Sequence, residues 1–304
     1  MELKRALAGV AAPAVLALSC ITSAAFSATP VQLTTTGGSK PTASRDGIWV
    51  AYQAGAILMK IPSTGGSPST LFFGGVEPNW ERPGELIVFR GGGIRTVNAN
   101  TLDVQLVYSG IGIDDDPAWS PLGNEIAVQS SVASIAILSY PGGVLSTIPC
   151  SDPDLSVCEG EGPTWSPDGS QLAFEDGDDL LKVNRAGGTA ENLLHWDAHL
   201  GQAAWSPNGD WIAVALGNPD AVDSLTASQR HIWMVDARGA SFGLVQLTSG
   251  QVTDFNPAWS PDGHVIYFES TRSGSSQIWK LALDPLPVKP VTWGSVKSMY
   301  RKKE

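Results

Sequence analysis

Carboxylate side chains stand just ahead of a repeated Pro-x-Trp segment, and their type and spacing suit the binding of cations. They are Glu77, Asp115, Asp116, Glu161 and Asp254. If a repeating fold gathers these acids around one point, their oxygens could hold a hard cation such as Ca²⁺ or receive a basic peptide. Solvated acidic loops are the third interpretation, and the residues alone leave all three open.

A second candidate site lies ahead of the fifth repeat, where the chain reads His195-Trp196-Asp197-Ala198-His199. Histidines spaced by four residues share a face only on a helix, and Gly201 with the following strand argues against a helix here. We therefore predict no zinc site. His195, Trp196 and His199 remain candidate ligand-binding residues, with surface histidines and a packed indole as the alternative.

These candidates must be positioned by a unit that recurs six times along the chain. Its fullest copy is Pro257-Ala258-Trp259-Ser260-Pro261-Asp262-Gly263, followed by an apolar run. The position of the tryptophan is occupied in chain order by Ala43, Trp80, Trp119, Trp165, Trp205 and Trp259. The successive spacings are 37, 39, 46, 40 and 54 residues.

Each unit predicts a β-hairpin followed by two more strands. In Ser-Pro-Asp-Gly, proline fixes φ, the aspartate bonds the local backbone, and glycine takes the positive φ that ends the turn. Tryptophan lies on the strand before the turn and an apolar triplet on the strand after it. Four strands repeated about every 40 residues are typical of a propeller. We therefore predict an all-β, six-bladed β-propeller of four-stranded antiparallel blades, with the tryptophans packed between blades.

The repeats resemble those of the TolB family, whose WD-repeat-like motif reads approximately P-x-W-S-P-D-G-x-x-I-A-F, then a Ser-Arg-Gly turn, then I-W. The last repeat is the most similar, with Arg272-Ser273-Gly274 and Ile278-Trp279 in the later positions. The resemblance covers about residues 31–293. TolB proper carries an α/β domain before its propeller, for which this chain has no room.

The resemblance implies a non-catalytic propeller that binds a protein or peptide through its channel face and blade-connecting loops. Gly239-Ala240-Ser241-Phe242-Gly243 matches the Gly-x-Ser-x-Gly pattern, but it lies in the turn after the third strand of a predicted blade and lacks the strand–turn–helix context of a nucleophile elbow. We predict no enzyme activity and no cofactor, with Ca²⁺ at the acidic residues as the alternative. A metal-dependent, lactonase-like propeller hydrolase and an envelope carbohydrate-binding module are the alternative functions.

The two ends of the chain predict export. Residues 1–27 read as a signal peptide, with Lys4 and Arg5 before an apolar stretch and Ala25 and Ser27 at the cleavage-recognition positions. Residues 28–293 form the predicted propeller, and residues 294–304 a basic tail. We expect a periplasmic or secreted protein, with an outer-membrane lipoprotein acylated at Cys20 as the alternative.

Charge and cysteines narrow the partners and the compartment. The formal net charge of −11 disfavours nucleic acid as a partner. No segment after the predicted signal is expected to cross a bilayer as a helix. We expect a monomer whose partner is a protein or a peptide. In an oxidising compartment, Cys150 and Cys158 are expected to form a disulfide. Val31-Gln32-Leu33-Thr34 and Pro290-Val291-Thr292-Trp293 both resemble Val245-Gln246-Leu247-Thr248, so either could close the ring.

Overall fold

The protein is an all-β propeller in the computed structural model, which describes residues 28–81, 84–110, 115–130, 135–151, 158, 160–196, 200–217 and 229–283. Six sheets of four antiparallel strands form, one for each sequence repeat. The predicted fold class is therefore confirmed. The predicted signal peptide, the predicted basic tail and residues 290–293 lie outside the described residues.

The blades are numbered one to six in chain order, and each inner strand belongs to a Pro-x-Trp unit. The strands of blades one to three are β2 (Ser39–Ala43), β3 (Trp49–Ala54), β4 (Ile57–Pro62), β5 (Ser69–Phe73), β6 (Val76–Trp80), β7 (Leu86–Arg90), β8 (Ile94–Asn98), β9 (Val104–Tyr108), β10 (Asp115–Trp119), β11 (Glu125–Gln129), β12 (Ile135–Ser139) and β13 (Leu145–Ile148).

Blades four to six follow the same plan, and the first strand of the chain serves as the outer strand of the last blade. Their strands are β15 (Glu161–Trp165), β16 (Gln171–Asp176), β17 (Asp179–Asn184), β19 (Glu191–His195), β20 (Leu200–Trp205), β21 (Trp211–Gly217), β22 (Arg230–Asp236), β23 (Leu244–Gln246), β24 (Asp254–Trp259), β25 (Val265–Ser270), β26 (Gln277–Ala282) and β1 (Val31–Gln32).

The inner strands form a closed ring around a channel. Each one packs against the inner strands of both neighbouring blades, and β24 returns to β2. The core lies between blades, as shown by the cluster that joins Ala118 of blade three to Trp165 and Phe174 of blade four. The indole nitrogen of Trp165 donates to the carbonyl of Ala118 at 3.1 Å. The predicted packing of the repeated tryptophans between blades is thus observed.

The Ser-Pro-Asp-Gly turn is held by its own serine. The Ser260 hydroxyl donates to Asp262 at 2.5 Å and accepts from the Val265 amide at 2.8 Å. Gly263 has a φ of 75°, a left-handed conformation that favours glycine. The hydroxyl of Ser260 also holds the pKa of Asp262 below its usual value. This turn therefore forms as the sequence predicts.

The N-terminal strand closes the ring. Strand β1 pairs antiparallel with β26, with Val31 opposite Lys280 and Gln32 opposite Trp279. The Thr34 hydroxyl accepts from the Ile278 amide at 2.9 Å, just as the Thr248 hydroxyl accepts from the Ile232 amide at 2.8 Å in blade five. The two Val-Gln-Leu-Thr segments therefore have the same structural role.

A disulfide joins Cys150 to Cys158, with 2.06 Å between the two sulfurs, as expected from the sequence. A short parallel pair, β14 (Cys150–Ser151) with β18 (Gly188–Thr189), ties this segment to blade four. Within the part of the chain that the structure describes, no helix has the length and apolarity to cross a membrane.

Candidate functional site

A β-bulge in every inner strand directs one residue into the channel. In blade one, Ser39 pairs with Gln53 and Thr42 with Ala51, so the inner strand carries one extra residue. The same shift occurs in the other five blades. Five of the six units have proline two residues before the tryptophan position, and proline is confined to edges and bulges within a sheet because it lacks an N–H.

The residue before that proline, three positions before the tryptophan, is the extra one. These six channel residues are Lys40, Glu77, Asp116, Gly162, Gln202 and Asn256, and all of them line the central cavity of about 160 Å³. Four of them carry a side chain and precede a proline. Their φ values are 48° for Lys40, 56° for Glu77, 49° for Asp116 and 52° for Asn256. Such left-handed conformations are uncommon for residues other than glycine. The bulge therefore fixes which side chains face the channel.

Charges in the channel are paired across blades. The Lys40 ammonium lies 2.5 Å from Asp116 and 3.5 Å from Glu77. Arg90 donates to both carboxylate oxygens of Glu77, at 3.0 and 3.2 Å. Two cations and two anions thus form one network that joins the first three blades. Networks of this kind fix side chains in place more than they add stability.

The end of the second strand supplies a second layer of polar residues behind the bulges. Arg90 occupies this position in blade two and bonds the bulge residue of its own blade, Glu77. Glu269 occupies it in blade six, where Asn256 donates to its carboxylate at 2.7 Å and Ser276 at 2.5 Å. In these two blades the bulge side chain satisfies the group behind it.

Blade four differs, because its bulge residue is Gly162 and the group behind it is Glu175. A Cβ on Gly162 would lie 3.2 Å from Oε1 of Glu175, and this oxygen has no hydrogen-bond partner. Burial, followed by the negative charges of Asp116 and Glu161, raises the pKa of Glu175 to about 8. Glu175 is therefore a buried, mostly protonated carboxyl at pH 7.

The predicted acids lie in different environments. Glu77 and Asp116 are bulge residues and meet through Lys40. Asp254 is fully buried, with its Oδ2 2.5 Å from Arg272 and 3.7 Å from the His231 ring. Glu161 is exposed, and the side chain of Asp115 lies outside what the structure describes.

The register of the bulge explains this separation. Glu77 and Asp116 stand three residues before their tryptophans, whereas Glu161 and Asp254 stand four and five residues before theirs. Successive residues of a strand point to opposite sides, which separates Glu161 from the bulge residues. Asp254 lies on the far side of the bulge, where it is buried. Among the described residues, no three His, Cys, Asp or Glu side chains are grouped so that they could hold a metal ion.

The predicted ligand-binding residues ahead of the fifth repeat do not face the channel together. His195 is exposed and its Nδ1 lies 2.7 Å from Asp179. Trp196 is half-buried, donates its indole N–H to the Gly217 carbonyl at 2.9 Å and packs 5.8 Å from the ring of Trp233. His199 lies outside the described residues.

Sequence reasoning missed Lys40, Gln202 and Asn256, which share the channel with the predicted acids. It also missed Arg90 and Glu175, which stand behind the bulges. The proline of the Pro-x-Trp unit could have identified the first group, since the residue before a strand proline is where a bulge is expected. The second group carries no local pattern, because its role depends on strand register.

Comparison with known proteins supports the propeller. Residues 156–302 match the family described as PD40, TolB beta propeller domain. Among curated proteins, the chain is 26% identical over 203 residues to the uncharacterized protein Atu1656 of Agrobacterium fabrum, covering 66% of this chain and 65% of that protein. It is 26% identical over 190 residues to the uncharacterized peptidase YuxL of Bacillus subtilis, covering 51% of this chain and 29% of the peptidase.

A third relative is the Tol-Pal system protein TolB of Bordetella pertussis, 36% identical over 126 residues, which are 40% of this chain and 27% of that protein. The chain therefore spans less than two thirds of the length of each of these three relatives.

Solved structures share the fold at low identity. TolB from Acinetobacter baumannii superposes with a TM-score of 0.57 at 15% identity, covering 81% of this chain and 63% of that one. An oligogalacturonate lyase in complex with manganese superposes with a TM-score of 0.55 at 13% identity, covering 86% and 95% of the two chains. The fold thus occurs in both TolB and enzymes, so function has to be argued from the site.

Proposed function

We propose that this chain, a TolB-like six-bladed β-propeller, is an exported non-catalytic binding protein that holds a peptide or protein segment at its channel. The observation that carries the proposal is the set of bulge side chains at the channel. Five blades each present one polar side chain there, and together they offer ammonium and amide donors beside carboxylate and amide acceptors. A peptide backbone needs both kinds of group at close spacing.

The channel residues are held in advance of binding. Lys40, Asp116 and Glu77 are joined by ion pairs, and Asn256 is held by Glu269. Ordered side chains lose little further conformational entropy when a partner binds. This favours a role in recognition.

The size of the cavity limits what can enter. Its volume of about 160 Å³ is below the roughly 300–1,000 Å³ of pockets that enclose small molecules. One or two side chains of a loop or a chain end fit such a space, whereas a folded domain stays outside. We therefore expect a partner that inserts one projecting segment.

The acids of the channel are poorly placed for catalysis. Glu77 and Asp116 are bound by Lys40 and Arg90, and a carboxylate held by cations is a weak general base. The proposed compartment is the cell envelope or the extracellular space, in keeping with the signal-like residues 1–27 and the likeness to a Tol-Pal system protein.

Site-specific photocrosslinking tests the proposal. A photoreactive residue replacing Gln202 in the channel is expected to capture a partner in cells, whereas one replacing Asp210 on the Ser-Pro-Asn-Gly turn of the same blade is not. Adding Lys40→Ala and Asn256→Ala should reduce the yield at position 202 while the protein stays folded. Equal capture at both positions, or capture indifferent to these two substitutions, would refute channel binding.

A further inference from the structure

The channel of blade four lacks a group that blades two and six supply. In those blades a bulge side chain bonds the polar residue behind it, as Glu77 bonds Arg90 and Asn256 bonds Glu269. In blade four, Gly162 has no side chain to do this. The place is narrow, because a Cβ on Gly162 would lie 3.2 Å from Oε1 of Glu175 and 3.4 Å from Cγ of Gln202.

Glu175 is an acceptor without a donor. Glu175 is only 7% exposed, and its Oε1 has no hydrogen-bond partner. A buried acceptor that lacks a partner is costly, and such groups call for a physical explanation. A donor from outside the chain, placed beside Gly162, would complete the pattern.

We infer that this space is a subsite for a primary ammonium group, such as a lysine side chain, which ion-pairs with Glu175. The inference rests on the proposed function, since the lysine belongs to the segment that enters the channel. Gln202 must turn aside for this, because its Cγ lies 3.4 Å from the position of a Cβ on Gly162, and the ammonium then occupies the place that Asn256 fills in blade six.

The geometry favours an ammonium over a guanidinium. An arginine fork is satisfied by two acceptors in one plane, whereas the place beside Gly162 borders only Oε1, the fully buried oxygen of Glu175 that lacks a partner. An ammonium is compact and carries three donors that can be directed separately. The space left by one missing side chain fits the smaller group.

The charges around Glu175 are mixed. Asp116 and Glu161 contribute negative charge, whereas Arg230 and Lys40 contribute positive charge. Lys40 is already paired with Asp116 and Glu77. A ligand ammonium adds a positive charge beside the carboxyl itself, where it offsets the burial that keeps Glu175 protonated.

Binding should therefore depend on pH. The pKa of Glu175 in the free protein is about 8, and the ammonium binds the ionised form. The affinity for a lysine ligand should be about 50-fold weaker at pH 6 than at pH 8, because the ionised fraction of Glu175 falls in that ratio while lysine stays protonated up to a pH of about 10. One proton should be released to the buffer as the ligand binds near pH 7.

The test uses two pentapeptides, acetyl-Gly-Ser-lysine-Ser-Gly-amide and the same peptide with norleucine, titrated into the mature protein. Binding is followed by the fluorescence of channel tryptophans such as Trp165 and Trp205, at pH 6 and pH 8. We expect a preference for the lysine peptide of about tenfold or more at pH 8. Glu175→Gln should abolish the preference and its pH dependence.

A second variant guards against a folding defect. Gly162→Asn places in blade four the residue that blade six has, and should also abolish the preference while the protein stays folded. Asp210→Asn, on the exposed turn of blade five, should leave the preference intact. Equal affinity for the two peptides at pH 8, or a lysine preference that survives Glu175→Gln, would overturn the subsite.

The outcomes separate this inference from the proposed function. Capture at position 202 without a lysine preference leaves the binding protein and removes the subsite. A lysine preference that requires Glu175, without any capture at position 202, leaves an ammonium site and removes the proposed segment-binding role.

Discussion

Replacing Glu175 with glutamine is expected to stabilise the protein at neutral pH and to leave its stability unchanged at acidic pH. Glutamine has almost the same shape as a protonated glutamate and never ionises. The buried carboxyl, in contrast, must stay protonated in the folded state while the unfolded chain ionises it freely. The substitution therefore removes a penalty that exists only where the unfolded chain is ionised.

The size of this penalty follows from the pKa. Burial, together with the negative charges of Asp116 and Glu161, raises the pKa of Glu175 from 4.5 to about 8. Because the folded pKa is the higher one, stability is fully present below pH 4.5, declines as the pH rises, and levels off above about pH 8. Each pH unit costs about 1.4 kcal/mol, so the 2.5 units between pH 4.5 and pH 7 amount to about 3 kcal/mol.

Thermal unfolding of the wild type and of Glu175→Gln at pH 4 and pH 7 checks this figure. A gain of about 3 kcal/mol corresponds to a rise in Tm of about 5 to 10 °C for a chain of this size, expected at pH 7 and absent at pH 4. Asp178→Asn, an exposed acid on the turn that follows the strand of Glu175, is the control and should change Tm little. An equal shift at both pH values, or no shift at pH 7, would refute the burial argument.

Four further outcomes are expected. Gly162→Asn should raise Tm at pH 7, because the amide can donate to Glu175 and asparagine tolerates a φ of 54°; a fall of several degrees would show that the site is closed to a side chain. Thr34→Val should lower the free energy of unfolding in urea by about 1–3 kcal/mol, because it removes a buried hydroxyl that bonds Gln277 and Ile278. An unchanged urea midpoint would contradict closure of the ring by the N-terminal strand. Reducing the disulfide between Cys150 and Cys158 should lower the free energy of unfolding by about 2–3 kcal/mol, the value for so short a loop. An unaltered melting curve would show that the disulfide does not stabilise the fold. Calcium should leave Tm unchanged, because cations of the chain already pair with the channel acids; a rise with calcium concentration would establish a bound metal.

The blades could be predicted from the sequence because the turn chemistry is local. Ser-Pro-Asp-Gly carries its hydrogen-bond partners within five residues, as the bonds of Ser260 to Asp262 and Val265 show. The sequence does not decide which end of the chain closes the ring, because residues 31–34 and 290–293 both resemble the outer strand of blade five. Only the pairing of Val31 with Lys280, across the whole chain, decides between them.

The site was predictable only in part, because acidic composition does not specify the side of a strand. Glu77 and Asp116 lie near each other in the structure, since both are bulge residues that meet Lys40. Asp254 was placed with them, although it lies buried against Arg272. Glu175 has no distinguishing pattern in the sequence, because its significance depends on Gly162, which is 13 residues away on the bulge next to the Glu161–Glu175 pair.

The pairing of β1 with β26 sets the order in which the molecule can be completed during synthesis. The first strand leaves the ribosome about 250 residues before its partner, which at 5–20 residues per second is a delay of roughly 10 to 50 seconds. During that interval an unpaired strand edge is a risk for aggregation. A strand of two residues, Val31–Gln32, presents a minimal edge while it waits. The final blade then forms last, so the ring becomes a single cooperative unit only after the entire propeller has been made.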